Sequence, residues 1–367
     1  MTSAHRSSPF AGPRYFKPAT PGLDALGPLK HLPGIWSNTP TANSGDFTGR
    51  GWNLIALPFE GENGTPFDFR VLVNQYNETL KFMNLDGSVP NRGIDRAAAQ
   101  DTDQTIMAID YEQGIAQIAA DDAPKSADNG PDLAGDPGLP IHHEPGFFLF
   151  ITNEVQSHQD GDLTVARLGT IPHGNSVMSM GHAREFDGPP RIPAISGLPI
   201  GIPGVPGIFG LPPGQPPELP EQGYLGPYAA FSGENAFLRN GPFPGFDVAL
   251  PNFLLEFGMP DNVVHTTELV FDTKYATGNI VNVPFVKRQA DASEMRSIFW
   301  IMTLDSEHAN GGPQRVLAYS QLVFLDFFQR LDGVPGLIRW PHVSINMMAY
   351  EGPLPEPAPA ARSMPMG

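Results

Sequence analysis

Cysteine is absent from this 367-residue chain, which removes disulfides, thiolate nucleophiles, cysteine-ligated zinc, iron–sulfur clusters and covalent c-type haem attachment at once. Stability has to come from packing. Basic residues are scarce: 22 Lys and Arg against 39 Asp and Glu give a formal charge of −17 without a basic cluster. A field of that sign repels phosphate backbones and argues against nucleic acid as a partner. Long apolar runs are missing as well, since no stretch reaches the roughly 18 residues of a membrane helix. The start, Met1-Thr2-Ser3-Ala4-His5, lacks the apolar core of a secretory signal. The expectation is a soluble, cytoplasmic protein with no membrane span. No Gly-x-x-x-x-Gly-Lys, no Gly-x-Gly-x-x-Gly after a strand and no Gly-x-Ser-x-Gly elbow occurs, so the common phosphate cradles and the hydrolase elbow are excluded.

What the chain does have is turn-forming residues and short apolar runs. Its 40 Gly and 41 Pro argue for many turns and few long helices, while 40% hydrophobic residues suffice for a sizeable core. Strand texture is read at 52–59, 67–76, 78–84, 104–111, 114–120, 147–153, 162–171, 176–184, 263–272, 279–287, 295–304, 315–328 and 337–350. Asn77-Glu78 and Gln113-Gly114 read as hairpin turns, and 252–257 as a short helix. The expected fold is all-β, an antiparallel closed β-barrel of lipocalin-like architecture. An extended arm over 1–48 precedes the first part of the barrel at 49–187. A Pro/Gly-rich insertion at 188–246 separates it from the second part at 247–350, and 351–367 form a tail. The insertion is unusual for a linker because, in place of Ser, Glu and Lys, it carries the apolar run Leu198-Pro199-Ile200-Gly201-Ile202-Pro203-Gly204-Val205-Pro206. Burial of such residues gains roughly 25 cal/mol per Å². They should therefore pack as a lid on their own barrel or against another subunit, which makes a homo-oligomer an expected partner.

Four of the ten histidines, His142, His143, His158 and His173, fall close together. Neutral imidazole ligates iron, zinc and copper, and a nearby carboxylate such as Glu144 orients it. Adjacent residues on extended chain face opposite ways, so at most one of His142 and His143 faces a pocket. His142, Glu144 and His173 form a candidate metal set; the alternative is a polar turn before a buried strand. Ser176 beside His173 would be a hydrolytic pair only with an elbow that the chain lacks. In Trp340-Pro341-His342-Val343-Ser344 a histidine sits beside a tryptophan in an apolar strand, either as a haem ligand inside a barrel or as a satisfied core residue.

The blocks His142-His143-Glu144-Pro145-Gly146, Thr164-Val165-Ala166-Arg167 through His173-Gly174, Phe299-Trp300-Ile301, Tyr319-Ser320-Gln321 and Trp340-Pro341-His342-Val343-Ser344 resemble bacterial proteins labelled haem-binding. More distantly, His142-x-Glu144-x-Gly146 and Gly34-Ile35-Trp36 resemble nitrobindin and fatty-acid-binding β-barrels. Pro145 stands where the family has threonine, and the long insertion departs from its compact form. The resemblance implies a barrel that binds haem or another hydrophobic small molecule, with haem-based redox chemistry as an extension. It implies His342 as iron ligand, and His142, His173, Trp340 and Arg167 near the cofactor. Without it, the ordered-looking arms and apolar insertion suit a structural subunit of a homo-oligomer or filament.

Overall fold

Alternating apolar and polar residues produce a single thirteen-stranded antiparallel sheet. It is seen in a computed structural model that describes residues 14–355 apart from 42–46, 60–67, 96–98, 124–133, 154–162, 206, 210–216, 237–243, 276, 310 and 331–332. His158 and most of the tail lie outside the described residues. The strands are β1 (Tyr15–Pro18), β2 (Gly34–Ser37), β3 (Gly51–Phe59), β4 (Asp68–Asp95), β5 (Gln100–Ala123), β6 (Pro140–Asn153) and β7 (Val165–Ile171). They continue with β8 (Asn175–Asp187), β9 (Val263–Asp272), β10 (Asn279–Asn282), β11 (Asp291–Glu307), β12 (Pro313–Gln329) and β13 (Leu337–Gly352). The path β4-β2-β13-β12-β11-β9-β8-β7-β6-β5 returns to β4, so ten strands close a barrel. β3 also bridges β13 and β4, while β1 and β10 lie outside on β4 and β8. Closure removes the free edges that would otherwise pair with other chains.

Several local expectations differ from this arrangement. Asn77-Glu78 and Gln113-Gly114 are not turns; they lie within β4 and β5, where Glu78 faces Ile115 and Thr79 faces Gly114. The segment 279–287 holds only the short β10 before a short helix (Pro284–Gln289), because proline at the helix start suits the first turn. Part of the N-terminal arm enters the barrel wall as β2. The short helix read at 252–257 is present at Phe253–Phe257.

Inside the barrel, Phe82, Tyr111, Phe148, Phe271 and Phe299 meet mostly edge to face; Phe148 lies 5.2 Å from Tyr111 and 5.4 Å from Phe299. One end is closed by the 3-10 stretch Asp24–Leu29, whose Leu26 and Leu29 are fully buried in this core together with Leu32. The apolar insertion packs outside. Its Ile192, Leu198 and Phe246, with Val248, bury against Trp52, Trp300, Ile345 and Met347, the outward-facing side of the wall. Phe246 stacks on Trp52 at 5.6 Å and 1°, and Ile200 forms a β-bridge with Arg339. The described part of the insertion thus clads its own barrel, and no second copy is needed to bury it.

One residue of this cladding makes a sensitive test. Tyr228 is fully buried, its hydroxyl has no hydrogen-bond partner among the described residues, and burial pushes its phenol well up. An unsatisfied buried hydroxyl costs about 1–3 kcal/mol. Tyr228→Phe is therefore expected to raise the urea midpoint by an equivalent of about 1 kcal/mol. A clear loss of stability would mean that the hydroxyl is satisfied in solution.

Candidate functional site

At the barrel end opposite the Asp24–Leu29 stretch, strand alternation sorts the histidine cluster. β6 turns His143 outward, where it is exposed and meets Glu112 at 3.3 Å. His142 and Glu144 face inward, with His142 Nε2 3.3 Å from Glu144 Oε2. Glu144 is buried and ion-paired: Arg167 Nη2 donates to its Oε1 at 2.9 Å, and the Tyr111 hydroxyl donates to the same oxygen. Arg167 reaches further, donating through Nη1 to Gln321 Oε1 at 2.5 Å and through Nε to the Tyr111 oxygen at 3.2 Å. Its guanidinium lies 5.3 Å from the centre of the Phe299 ring.

Two glycines make this packing possible. Gly146 and Gly169 are direct partners across β6 and β7. A Cβ on Gly146 would stand 2.0 Å from the Leu168 carbonyl and 2.7 Å from the Tyr111 ring, and one on Gly169 would stand 2.1 Å from Glu144 Oε1. Bare backbone is required there so that Tyr111 and Glu144 can lie against the strands. The spacing His142-x-Glu144-x-Gly146 thus places an imidazole, a carboxylate and a gap on one inner face.

Electrostatics follows from this burial. Removal from water would raise Glu144, but Arg167, His142 and Tyr111 outweigh it and hold the carboxyl at about 2. Burial would lower Arg167, yet Glu144 and Tyr111 leave it raised. Both members of the pair are charged near neutral pH.

A second network lies on the same inner surface. Glu78 is buried and accepts from Tyr319 at 2.7 Å, Asn346 at 2.8 Å and Gln113 at 2.7 Å. Tyr76 joins through the Tyr319 hydroxyl at 2.8 Å. Burial raises the Glu78 carboxyl, and the three donors only partly offset it. Sequence reading missed Glu78, Tyr76, Gln113, Tyr319 and Asn346 as a group because the barrel gathers them from β4, β5, β12 and β13. The available signal was each polar residue standing in an otherwise apolar strand.

His342 completes this end. It pairs with Val323, as Ser344 does with Gln321 and Asn346 with Tyr319, which puts it on the inward face of β13. Its Nε2 is buried and has no hydrogen-bond partner among the described residues. Burial first, then the neighbouring His142 and His173, push it down to about 3. The rings of His142 and His173 are 6.1 Å apart, and His173, in the turn between β7 and β8, is exposed with Nε2 3.4 Å from the Ile141 carbonyl. Across five strands, Asn74, Asn53, Ser344, Gln321 and Ser297 stand in register as a polar row.

The structure therefore brings His342, His142, His173, Glu144 and Arg167 together. Trp340 is engaged differently, in an aromatic group with Phe69 at 4.4 Å and Phe327 at 4.9 Å. Ser176 meets Thr170 at 3.3 Å and does not bond to His173. Among the described residues no group of three or more His, Asp or Glu is placed to hold a metal ion. This differs from the expectation of His142, Glu144 and His173 on one metal: Glu144 is committed to Arg167 and Tyr111. Among the described residues, no helix is long and apolar enough to cross a membrane.

Comparison with protein-family models gives no match, and neither does comparison with curated proteins. Among solved structures, the crystal structure of Rv2717c from M. tuberculosis is similar with a TM-score of 0.31 and 12% identity, over 89% of this chain and 97% of that one.

Proposed function

We propose that the chain is a small-molecule-binding β-barrel whose site is the polar end, and that haem is the ligand His342 is suited to take. One observation carries the reading: His342 Nε2 is buried without a partner on the inward face of β13. A buried imidazole nitrogen without a partner costs stability unless a ligand completes it. Iron takes the neutral ring, and a histidine pushed down to about 3 is neutral throughout the physiological range. The fit therefore rests on the donor and on its charge state. His342 would hold the iron, with His142 and His173 as its neighbours, and Arg167 would stay paired to Glu144. When bound, haem would supply redox and diatomic-gas chemistry. The blocks that resemble bacterial haem-binding proteins point the same way.

The test is a hemin titration. The wild type is expected to show a saturable Soret shift that His342→Ala abolishes while the far-ultraviolet spectrum stays unchanged. Absence of a shift in folded wild type removes the haem reading.

A further inference from the structure

The barrel's other end carries a cationic group that the polar end does not use. His265 on β9, Thr303 on β11 and Arg315 on β12 are direct register partners, so they share one face. That face is the interior one, because Leu269, Ile301 and Leu317 of the inner core continue it. Arg315 is half-buried, its guanidinium lies 5.8 Å from the centre of the Tyr350 ring, and its Nε is buried without a hydrogen-bond partner among the described residues. Among the described residues no carboxylate pairs with it, although the chain holds 39 Asp and Glu.

The end stretch brings further hydrogen-bond donors to the same place, the Lys30 ammonium and the neutral imidazole of His31. His31, half-buried just after Leu29, lies within electrostatic reach of Arg315, Lys30 and His265, with Glu185 opposing. Among the described residues its Nδ1 is also buried without a partner, as is the hydroxyl of Thr267, which shares the inner face of β9 with His265. The acids nearby are engaged by other groups: Glu185 meets Lys30 at 3.5 Å and Asp187 meets His265 at 3.5 Å. A guanidinium half out of water with no counter-charge is costly, and its fork of donors matches the oxygens of a carboxylate or phosphate.

We propose that this end of the barrel is an oxyanion-binding site. Arg315 anchors the ligand, a phosphate or carboxylate group, and His31 Nδ1 donates to it, while Lys30 and His265, paired with Glu185 and Asp187, border the site. The site is separate from the polar end and independent of the haem reading. It ties the end stretch to the wall through a ligand, so binding also strengthens closure at this end.

Calorimetric titration of the full chain with inorganic phosphate at low ionic strength and pH 7 tests it, with acetate as a second arm. Saturable binding is expected, weakened at least tenfold in Arg315→Gln and unchanged in His342→Ala. Acetate competing with phosphate assigns the site to oxyanions in general, and phosphate alone assigns it to phosphate. If Arg315→Gln does not fold, the imidazole resonances of His31 in the wild type provide the readout, and they are expected to shift with phosphate. No saturable binding of either anion, equal binding in Arg315→Gln, or unmoved His31 resonances would overturn the proposal.

Discussion

Glu144→Ala is expected to destabilise the protein by about 3–5 kcal/mol, the range for removing one partner of a buried ion pair. The cause is what remains: Arg167, 2% exposed, keeps its charge beside Phe299 and Tyr111 with no carboxylate to balance it. Glu144→Gln should lose less, because an amide still accepts from Arg167 and Tyr111 although the charge is gone. Replacing both members, Glu144→Leu with Arg167→Met, should recover much of the loss, since no unpaired charge is then buried. Urea denaturation of the four proteins checks the order. A loss below about 1 kcal/mol in Glu144→Ala, typical of exposed pairs, would show that the pair is hydrated.

The second large effect is on acid stability. Folded His342 has a pKa of about 3 against an ordinary 6.5. Between these values the unfolded chain binds the proton and the folded chain does not. The stability that depends on a neutral His342 is therefore present above about pH 6.5 and is lost as pH falls toward 3, at about 1.4 kcal/mol per pH unit. His31, lowered to about 4 mainly by burial, acts in the same direction, and Glu144 joins below its ordinary 4.5. Glu78, raised by burial, opposes them. Comparison of wild type with His342→Gln isolates the imidazole, which glutamine replaces with a group that does not titrate. Between about pH 7 and pH 5 the stability difference should move by about 2 kcal/mol in favour of the variant. Parallel stability curves for the two proteins would contradict a depressed His342.

Much of the barrel was legible because its wall alternates in the ordinary way: β9, β11, β12 and β13 fall close to their apolar runs. The same alternation separated His142 from His143. The two false turns have a shared physical cause. Glu78 and Gln113 are polar because they meet diagonally on the buried inner face of the adjacent strands β4 and β5, with Gln113 Nε2 donating to Glu78 at 2.7 Å. A polar pair inside two long strands resembles a break between four short ones. Neither network at the polar end was legible as a unit, since the residues that meet are separated by up to 268 positions, as Glu78 and Asn346 are. The insertion's apolar character did indicate burial, but only the fold reveals that its partner is the outer wall beside Trp52 and Trp300.

The most direct test of the polar end as a ligand site is the ionisation of His342 itself, followed by long-range proton–nitrogen spectra of the imidazole rings from about pH 8 down to about pH 3, with His342→Gln used for assignment. The account predicts a single neutral tautomer whose resonances hold steady until the pH approaches 3. A His342 that titrates near its ordinary 6.5, as an imidazole open to water does, would contradict it.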